Sequence, residues 1–278
     1  MTAPRLLVVS DSHLSPRTPE ADANWDAVVR HVADDLPDLV VHAGDVSLDG
    51  ALVPTDLEHA RRQLDRLPVP WRAVPGNHDV GDNPGPATAD GAAIDAQRRA
   101  QWLDAVGPDR WAVDLDGWTV LGIDAQLLGS GLPAEDEQWR WLARAAAGAA
   151  DRAVVLVAHK PVTEPDDDLA DEASVWFLPS PARRRLRDTF GDHPPALVVT
   201  GHIHQFRSLD AGGSRHVWAP TTWAVLPDDR QPVAGAKRCG VVTIDLHRSP
   251  PVEPALVEPE GLAQFTLWRD VPDPFTAP

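Results

Sequence analysis

Short runs that are almost wholly apolar alternate along this chain with longer stretches in which apolar residues recur every three or four positions. The runs are Leu6–Val9, Leu39–Val41, Trp71–Val74, Val154–Val157 and Leu197–Val199. Runs this short, without polar alternation, read as strands buried on both faces. Between the first two, Trp25 to Leu36 carries Trp25, Val28, Val29, Val32 and Leu36 at helical spacing and stops at Pro37. Thr55 to Leu67 is a second helix, in which Thr55 and Glu58 are spaced for a capping box and Pro68 closes the segment. Strand–helix–strand units in succession predict a largely parallel start to a sheet.

Further along, Ile94–Val106 and Pro133–Ala147 read as helices, the latter with Glu135, Asp136 and Glu137 in its first turn. Trp111–Leu115 and Trp118–Ile123 flank Asp116-Gly117, a hairpin signal. Phe206–Asp210 and Arg215–Ala219 form another hairpin around Ala211–Ser214, and Val241–Leu246 is a strand. Gly81–Gly91 and Lys160–Pro181 hold no sustained period and read as loops; long loops in compact domains are often functional. Pro250–Glu260 is Pro- and Glu-rich and predicts an extended connector to a last element around Phe265–Trp268.

Composition narrows the function classes. A chain of 278 residues with 43% hydrophobic content can bury a large core. Its formal charge of −17, from 42 acidic against 25 basic residues, argues against long DNA or RNA as a partner. A small phosphate ester stays compatible, because bound divalent cations invert the local field. Cys239 is the single cysteine, so an intrachain disulfide and a thiolate zinc cluster are excluded, as a reducing cytoplasm would favour. Leu6–Val9 is too short for a signal-peptide core and no later run approaches a membrane span, so the expectation is a cytoplasmic protein without a membrane partner. The oligomeric state leaves no signature.

The candidate chemistry follows the strands. Each apolar run leads into polar residues able to ligate metal: Asp11-Ser12-His13, Gly44-Asp45, Gly76-Asn77-His78-Asp79, His159 and Gly201-His202-Ile203-His204. Every cluster therefore falls at the carboxyl end of a strand, where open α/β sheets place their ligand sites. Two divalent ions about 3.5–4 Å apart need a bridging anion with N and O donors on each side. Asp45, alone after its strand, is the choice for the shared carboxylate. His13 lies two residues after Asp11, and His204 two after His202, so each pair can converge on one face of an extended segment. The glycines at 44, 76 and 201 each precede a ligand, where a missing side chain permits close backbone approach.

From Asp11 to His204 the chain resembles the calcineurin-like metallophosphoesterase superfamily, whose pattern is Asp-x-His, Gly-Asp, Gly-Asn-His-Asp/Glu, His and Gly-His-x-His. The resemblance implies an α/β fold, a four-layer α/β/β/α sandwich of two mixed sheets with a dinuclear metal site at the strand ends. It implies that Asp11, His13, Asp45 and His204 bind one ion and Asp45, Asn77, His159 and His202 the other. His78 would be the catalytic acid, oriented by Asp79, and a metal-bridging hydroxide would attack phosphorus in line. The two ions are expected to be Mn, Fe or Zn, since mixed N/O ligation does not choose among them. Leu48 stands at the third position after Asp45, where purple acid phosphatases carry a metal-binding Tyr, so an iron–tyrosinate centre is excluded. The reading assigns 1–249 to the catalytic domain and 250–278 to a connector and terminal segment packed on it.

The spacing from Gly44-Asp45 to Asp79, with the segment Pro133–Leu142, looks most like the cyclic-nucleotide phosphodiesterase-like branch. The expected substrate is a small diester, of cyclic-nucleotide or glycerophosphodiester type. Alternatives are a phosphomonoesterase acting on a nucleotide, sugar phosphate or phosphoprotein, and a non-catalytic binding module, which would be expected to lack ligands or the acid. Other residues read as structural: His42 as packed near the site, Arg183–Arg185 as a solvated helix face, and Asp166–Asp168 as a solvated loop. Trp176 and Phe177 read as lid packing, with stacking on a base as the alternative.

Overall fold

Each apolar run becomes a strand. A computed structural model describes residues 3–85, 88, 89, 91–149, 151–162, 176–247 and 252–274. Strands β1 (Arg5–Val9), β2 (Leu39–His42) and β3 (Trp71–Ala73) pair in parallel, with Leu6 opposite Leu39 and Val40 opposite Trp71. Helices α1 (Pro19–Asp34) and α2 (Pro54–Leu64) are the crossovers. On the other side of β1, β11 (Val241–Asp245) returns antiparallel, and β12 (Ala255–Val257) pairs antiparallel with β11. The first sheet is thus five-stranded and mixed, in the order β12-β11-β1-β2-β3.

The second sheet comprises β4 (Trp111–Leu115), β5 (Trp118–Gly122), β6 (Ala153–Val157), β7 (Leu197–Thr200), β8 (Arg207–Ala211) and β9 (Ser214–Trp218). Its order is β4-β5-β6-β7-β9-β8, parallel within and closed at both edges by the two predicted antiparallel hairpins. Helices α5 (Pro133–Gly148) and α6 (Ser180–Phe190) belong to this half, α3 (Asn77–Val80) and α4 (Ala96–Ala105) to the first. A ribbon of β10 (Ala224–Val225) and β13 (Phe265–Thr266) completes the described fold.

Two-residue periodicity divides every inner strand between two cores. Leu6 and Val8 of β1 meet Val155 and Val157 of β6 in the core between the sheets. Leu7 and Val9 turn outward onto Trp25 and Val28 of α1 and Leu57 and Leu64 of α2. Val154 and Leu156 turn outward onto Trp139 and Leu142 of α5 and Leu186 and Phe190 of α6. Both faces of each sheet are therefore buried, which is why the runs show no polar alternation and why the layers stack α/β/β/α.

Several boundaries depart from the pattern. Helix α1 starts six residues before Trp25, with Pro19 in its first turn, and ends before Leu36, which is 62% exposed. The expected capping box at Thr55 and Glu58 does not form: Pro54 occupies the first turn and places the cap at Val53, which makes no side-chain bond. The Pro- and Glu-rich stretch is more than a connector, because Ala255–Val257 supplies edge strand β12. Asp166–Asp168 lie outside the described residues. Of the arginine trio, Arg184 and Arg185 are exposed on α6 and Arg183 is half-buried, while the Arg185 guanidinium lies 4.5 Å over the Trp139 ring.

Candidate metal centre

The five clusters converge at the carboxyl ends of β1, β2, β3, β6 and β7. To turn there, Asp11, His13, Asp45, His202 and His204 all adopt left-handed backbone, with φ between 46° and 69°. Such a conformation costs a non-glycine residue on the order of 1–3 kcal/mol, although Asp and His tolerate it better than most. The turns are tied to one another: Asp11 N–H donates to the Gly44 carbonyl at 3.0 Å and His13 N–H to the Asp45 carbonyl at 3.1 Å. His202 N–H donates to both Asp11 carboxylate oxygens, at 3.1 and 3.0 Å. Gly44 has φ 97°, and a Cβ at Gly76 would stand 2.1 Å from Asp45 Oδ1.

Three groups of donors result: His13, Asp45 and His78 from the first sheet form one, and the other two each mix residues from both sheets. Asp11 and His13 of the first sheet meet His204 of the second, and Asp45 of the first meets His159 and His202 of the second, all donor atoms within a set lying within 4.8 Å of one another. Asp45 presents a single oxygen to both sets. Its Oδ2 is 3.2 Å from His159 Nε2 and 3.9 Å from His13 Nε2, while Oδ1 accepts the His78 N–H at 2.9 Å. Asn77 Oδ1 lies 3.2 Å from His159 Nε2 and so joins the second set.

These residues fit divalent cations. His159 Nδ1 donates to the Ala43 carbonyl at 2.8 Å and His204 Nδ1 to the Ala224 carbonyl at 2.7 Å, so that the neutral form of each ring turns its Nε2 lone pair inward. His204 Nε2 faces His13 Nε2 at 3.3 Å, and His159 Nε2 faces His202 Nδ1 at 3.2 Å. Imidazole nitrogens and carboxylates gathered this closely could hold a cation between them. Burial opposes the Asp45 carboxylate, but His159, His78 and His13 hold its pKa well below the ordinary range. Burial likewise opposes a charged His159, yet Asp45 pushes its pKa up to about 9. The donors are carboxylate, amide and imidazole, a set suited to first-row divalent ions without selecting one.

The family model of calcineurin-like phosphoesterases matches residues 4–206, which contain all of these donors. This chain belongs to that family. A relative from Arcobacter nitrofigilis named "Probable glycerophosphodiester phosphodiesterase" is 24% identical over 176 residues, 61% of this chain and 57% of the relative. The match therefore spans little more than half of that protein's length. Among solved structures, a dimetal phosphatase from Danio rerio superposes with a TM-score of 0.60 at 14% identity, covering 93% of this chain and 98% of its own. A purple acid phosphatase from yellow lupin (Lupinus luteus) seeds gives 0.65 at 13% identity, covering 97% of this chain and 55% of its own. At these identities the likeness is one of fold. An iron–tyrosinate centre is excluded in this chain, because its sequence contains no tyrosine.

The remaining motif residues divide by environment. His78 is half-buried beside the deeper ligands, its ring edge-on to His13 with centroids 4.8 Å apart. His78 Nδ1 is bonded to the Leu48 carbonyl at 2.9 Å, which helps to orient the ring. Asp79 is fully buried and its carboxylate accepts from Val46, Ser47 and Gly76 N–H and from the Ser47 hydroxyl. It ties the Asp45 loop to the Asn77 loop, beside His78. Burial, with the nearby Asp45 charge, raises its pKa to about 6. His42 is packed beneath the site: its Nε2 bonds Ser12 Oγ at 2.8 Å, and burial pushes its pKa down to about 3.

Trp176 stands 5.9 Å from the His202 ring at a tilt, whereas Phe177 packs on Trp218. Sequence reasoning missed the backbone carbonyls of Ala43, Leu48 and Ala224, which have no residue-type signature. It also missed the ion pair between buried Lys160 and Asp82, which joins the His159 turn to the loop after α3. Lys160 directly follows the candidate donor His159, and that adjacency was the available signal.

Proposed function

We propose that this protein is a phosphodiesterase of small diesters, of glycerophosphodiester or cyclic-nucleotide type, working with two divalent cations. The observation that carries the reading is the single Asp45 oxygen facing both donor sets, with half-buried His78 at their side. Asp11, His13 and His204 would hold one cation and Asn77, His159 and His202 the other, with Asp45 common to both. When bound, such a pair supplies positive charge at the phosphoryl oxygens and acidifies a nucleophilic water.

His78 then serves the leaving group. With Nδ1–H committed to Leu48, the proton an imidazolium can release is on Nε2, and its loss leaves a neutral tautomer already hydrogen-bonded in place. Asp79 keeps the two ligand loops in register. The diester preference is supported by the name of the Arcobacter relative and by the sequence spacing. The test is hydrolysis of bis-p-nitrophenyl phosphate against p-nitrophenyl phosphate by protein reconstituted in turn with Mn, Fe and Zn. Faster diester hydrolysis is the expected result, and a preference for the monoester would replace this reading by a phosphomonoesterase.

A further inference from the structure

The two donor sets are held by different parts of the molecule. His159 is fixed by the Ala43 carbonyl, immediately after β2 in the first sheet. His204 is fixed by the Ala224 carbonyl, at the start of β10, whose partner is the C-terminal strand β13. His13 has no hydrogen-bond partner for its Nδ1 among the described residues, and its ring leans on Trp223, with centroids 5.0 Å apart. Trp223 and Ala224 are buried with Leu48, Leu267 and Val271 in a cluster separate from the three main cores. Leu267 N–H donates to the Val225 carbonyl at 2.9 Å. Asn24 of α1 clamps the segments that lead into both strands, donating to the Thr222 carbonyl at 2.8 Å and accepting from Ala263 N–H at 2.8 Å. Trp223, Ala224, Ala263, Leu267 and Val271 of this support lie beyond residue 206, where the family match ends, while Asn24 and Leu48 lie within it.

We propose that residues 252–274 act as a strap that positions His13 and His204, and thereby sets the cation affinity of the Asp11 set separately from that of the Asp45, His159 and His202 set. This rests on the two-cation reading above. A ligating histidine owes its ring orientation and basicity to the partner of its other nitrogen, and loss of such a partner lowers metal affinity by about 10–100-fold. Loosening the strap frees the Ala224 carbonyl and the Trp223 ring while leaving Ala43 untouched. The strap residues are positioning residues, because they act on His13 and His204 through Trp223 and Ala224.

The test uses the full chain with Leu267→Ala and Val271→Ala combined, against Leu186→Ala in the α6 core as a control for general loss of packing. Co2+ titration followed by absorption, and metal content after dialysis, give the affinity of each position. The wild type should bind two ions. The strap variant should bind one of them about 10–100-fold more weakly and keep one whose spectrum matches that of Asp11→Asn, while the control retains both. Should the double variant fail to fold, Trp223→Phe, which removes the indole from beside His13, should shift the same position alone. Two ions bound by the strap variants as tightly as by the wild type, or both weakened together, would overturn the strap. A wild type that binds fewer than two ions would overturn the two-cation reading and this proposal with it.

Discussion

His78 is half-buried and its Nδ1 is bonded to the Leu48 carbonyl. An acid that protonates a departing oxygen matters most when that oxygen leaves as an alkoxide. His78→Ala should therefore lower turnover of an alkyl diester by about 10²–10⁴-fold while metal content stays at the wild-type level. The loss on bis-p-nitrophenyl phosphate should be clearly smaller, since p-nitrophenolate leaves without a proton; equal losses on both substrates would remove His78 from the acid role. Gly201 is constrained more tightly still. A Cβ there would lie 1.9 Å from Ser10 Oγ and 2.7 Å from Asp11 Oδ2. Gly201→Ala should destabilise the fold by about 1–3 kcal/mol and weaken cation binding at the Asp11 set, as denaturant melts and metal analysis would show.

The short turn after β5 carries a buried acid that the proposed chemistry does not use. Asp124 caps the 3-10 turn Ala125–Leu127 by accepting from Gln126 and Leu127 N–H, and its Oδ2 has no partner among the described residues. Burial, with Asp109 nearby, raises its pKa well above 3.8. The folded state then binds a proton that the unfolded state releases, so this group makes stability fall as pH rises from about 4 toward its folded pKa. Asp124→Asn keeps the acceptor for both amides and removes the titration. The variant should flatten that decline and gain stability relative to wild type toward neutral pH; parallel pH profiles would contradict this.

At the same scale, legibility in the sequence follows burial. Strands such as Val154–Val157 announced themselves because helices cover one face and the opposite sheet the other. The start of α1 did not, since Pro19 to Asn24 offers only Ala21 and Asn24 to the interior and no large apolar residue. Strand β12 was masked by the prolines around Ala255–Val257. Motif side chains could be read because their types are chemically restrictive. The Leu48 and Ala224 carbonyls could not, because any residue supplies one.

The two sheets of the whole molecule face each other across the core of Leu6, Val8, Val155 and Val157. Two of the donor groups take residues from both sheets, so the spacing of the sheets sets how closely the donors within each of them approach. The formal charge of −17 makes the site a cationic point on an acidic body once loaded, which favours a small anionic ester over a long polyanion. The central claim is that one carboxylate, Asp45, serves two cations and that hydrolysis depends on both. Metal content per chain, measured beside bis-p-nitrophenyl phosphate turnover for wild type, Asp11→Asn and Asp45→Ala, tests it directly. The wild type should carry two ions, Asp11→Asn one, and Asp45→Ala should lose at least one ion together with activity. An Asp45→Ala protein that keeps two ions and wild-type turnover would contradict the account.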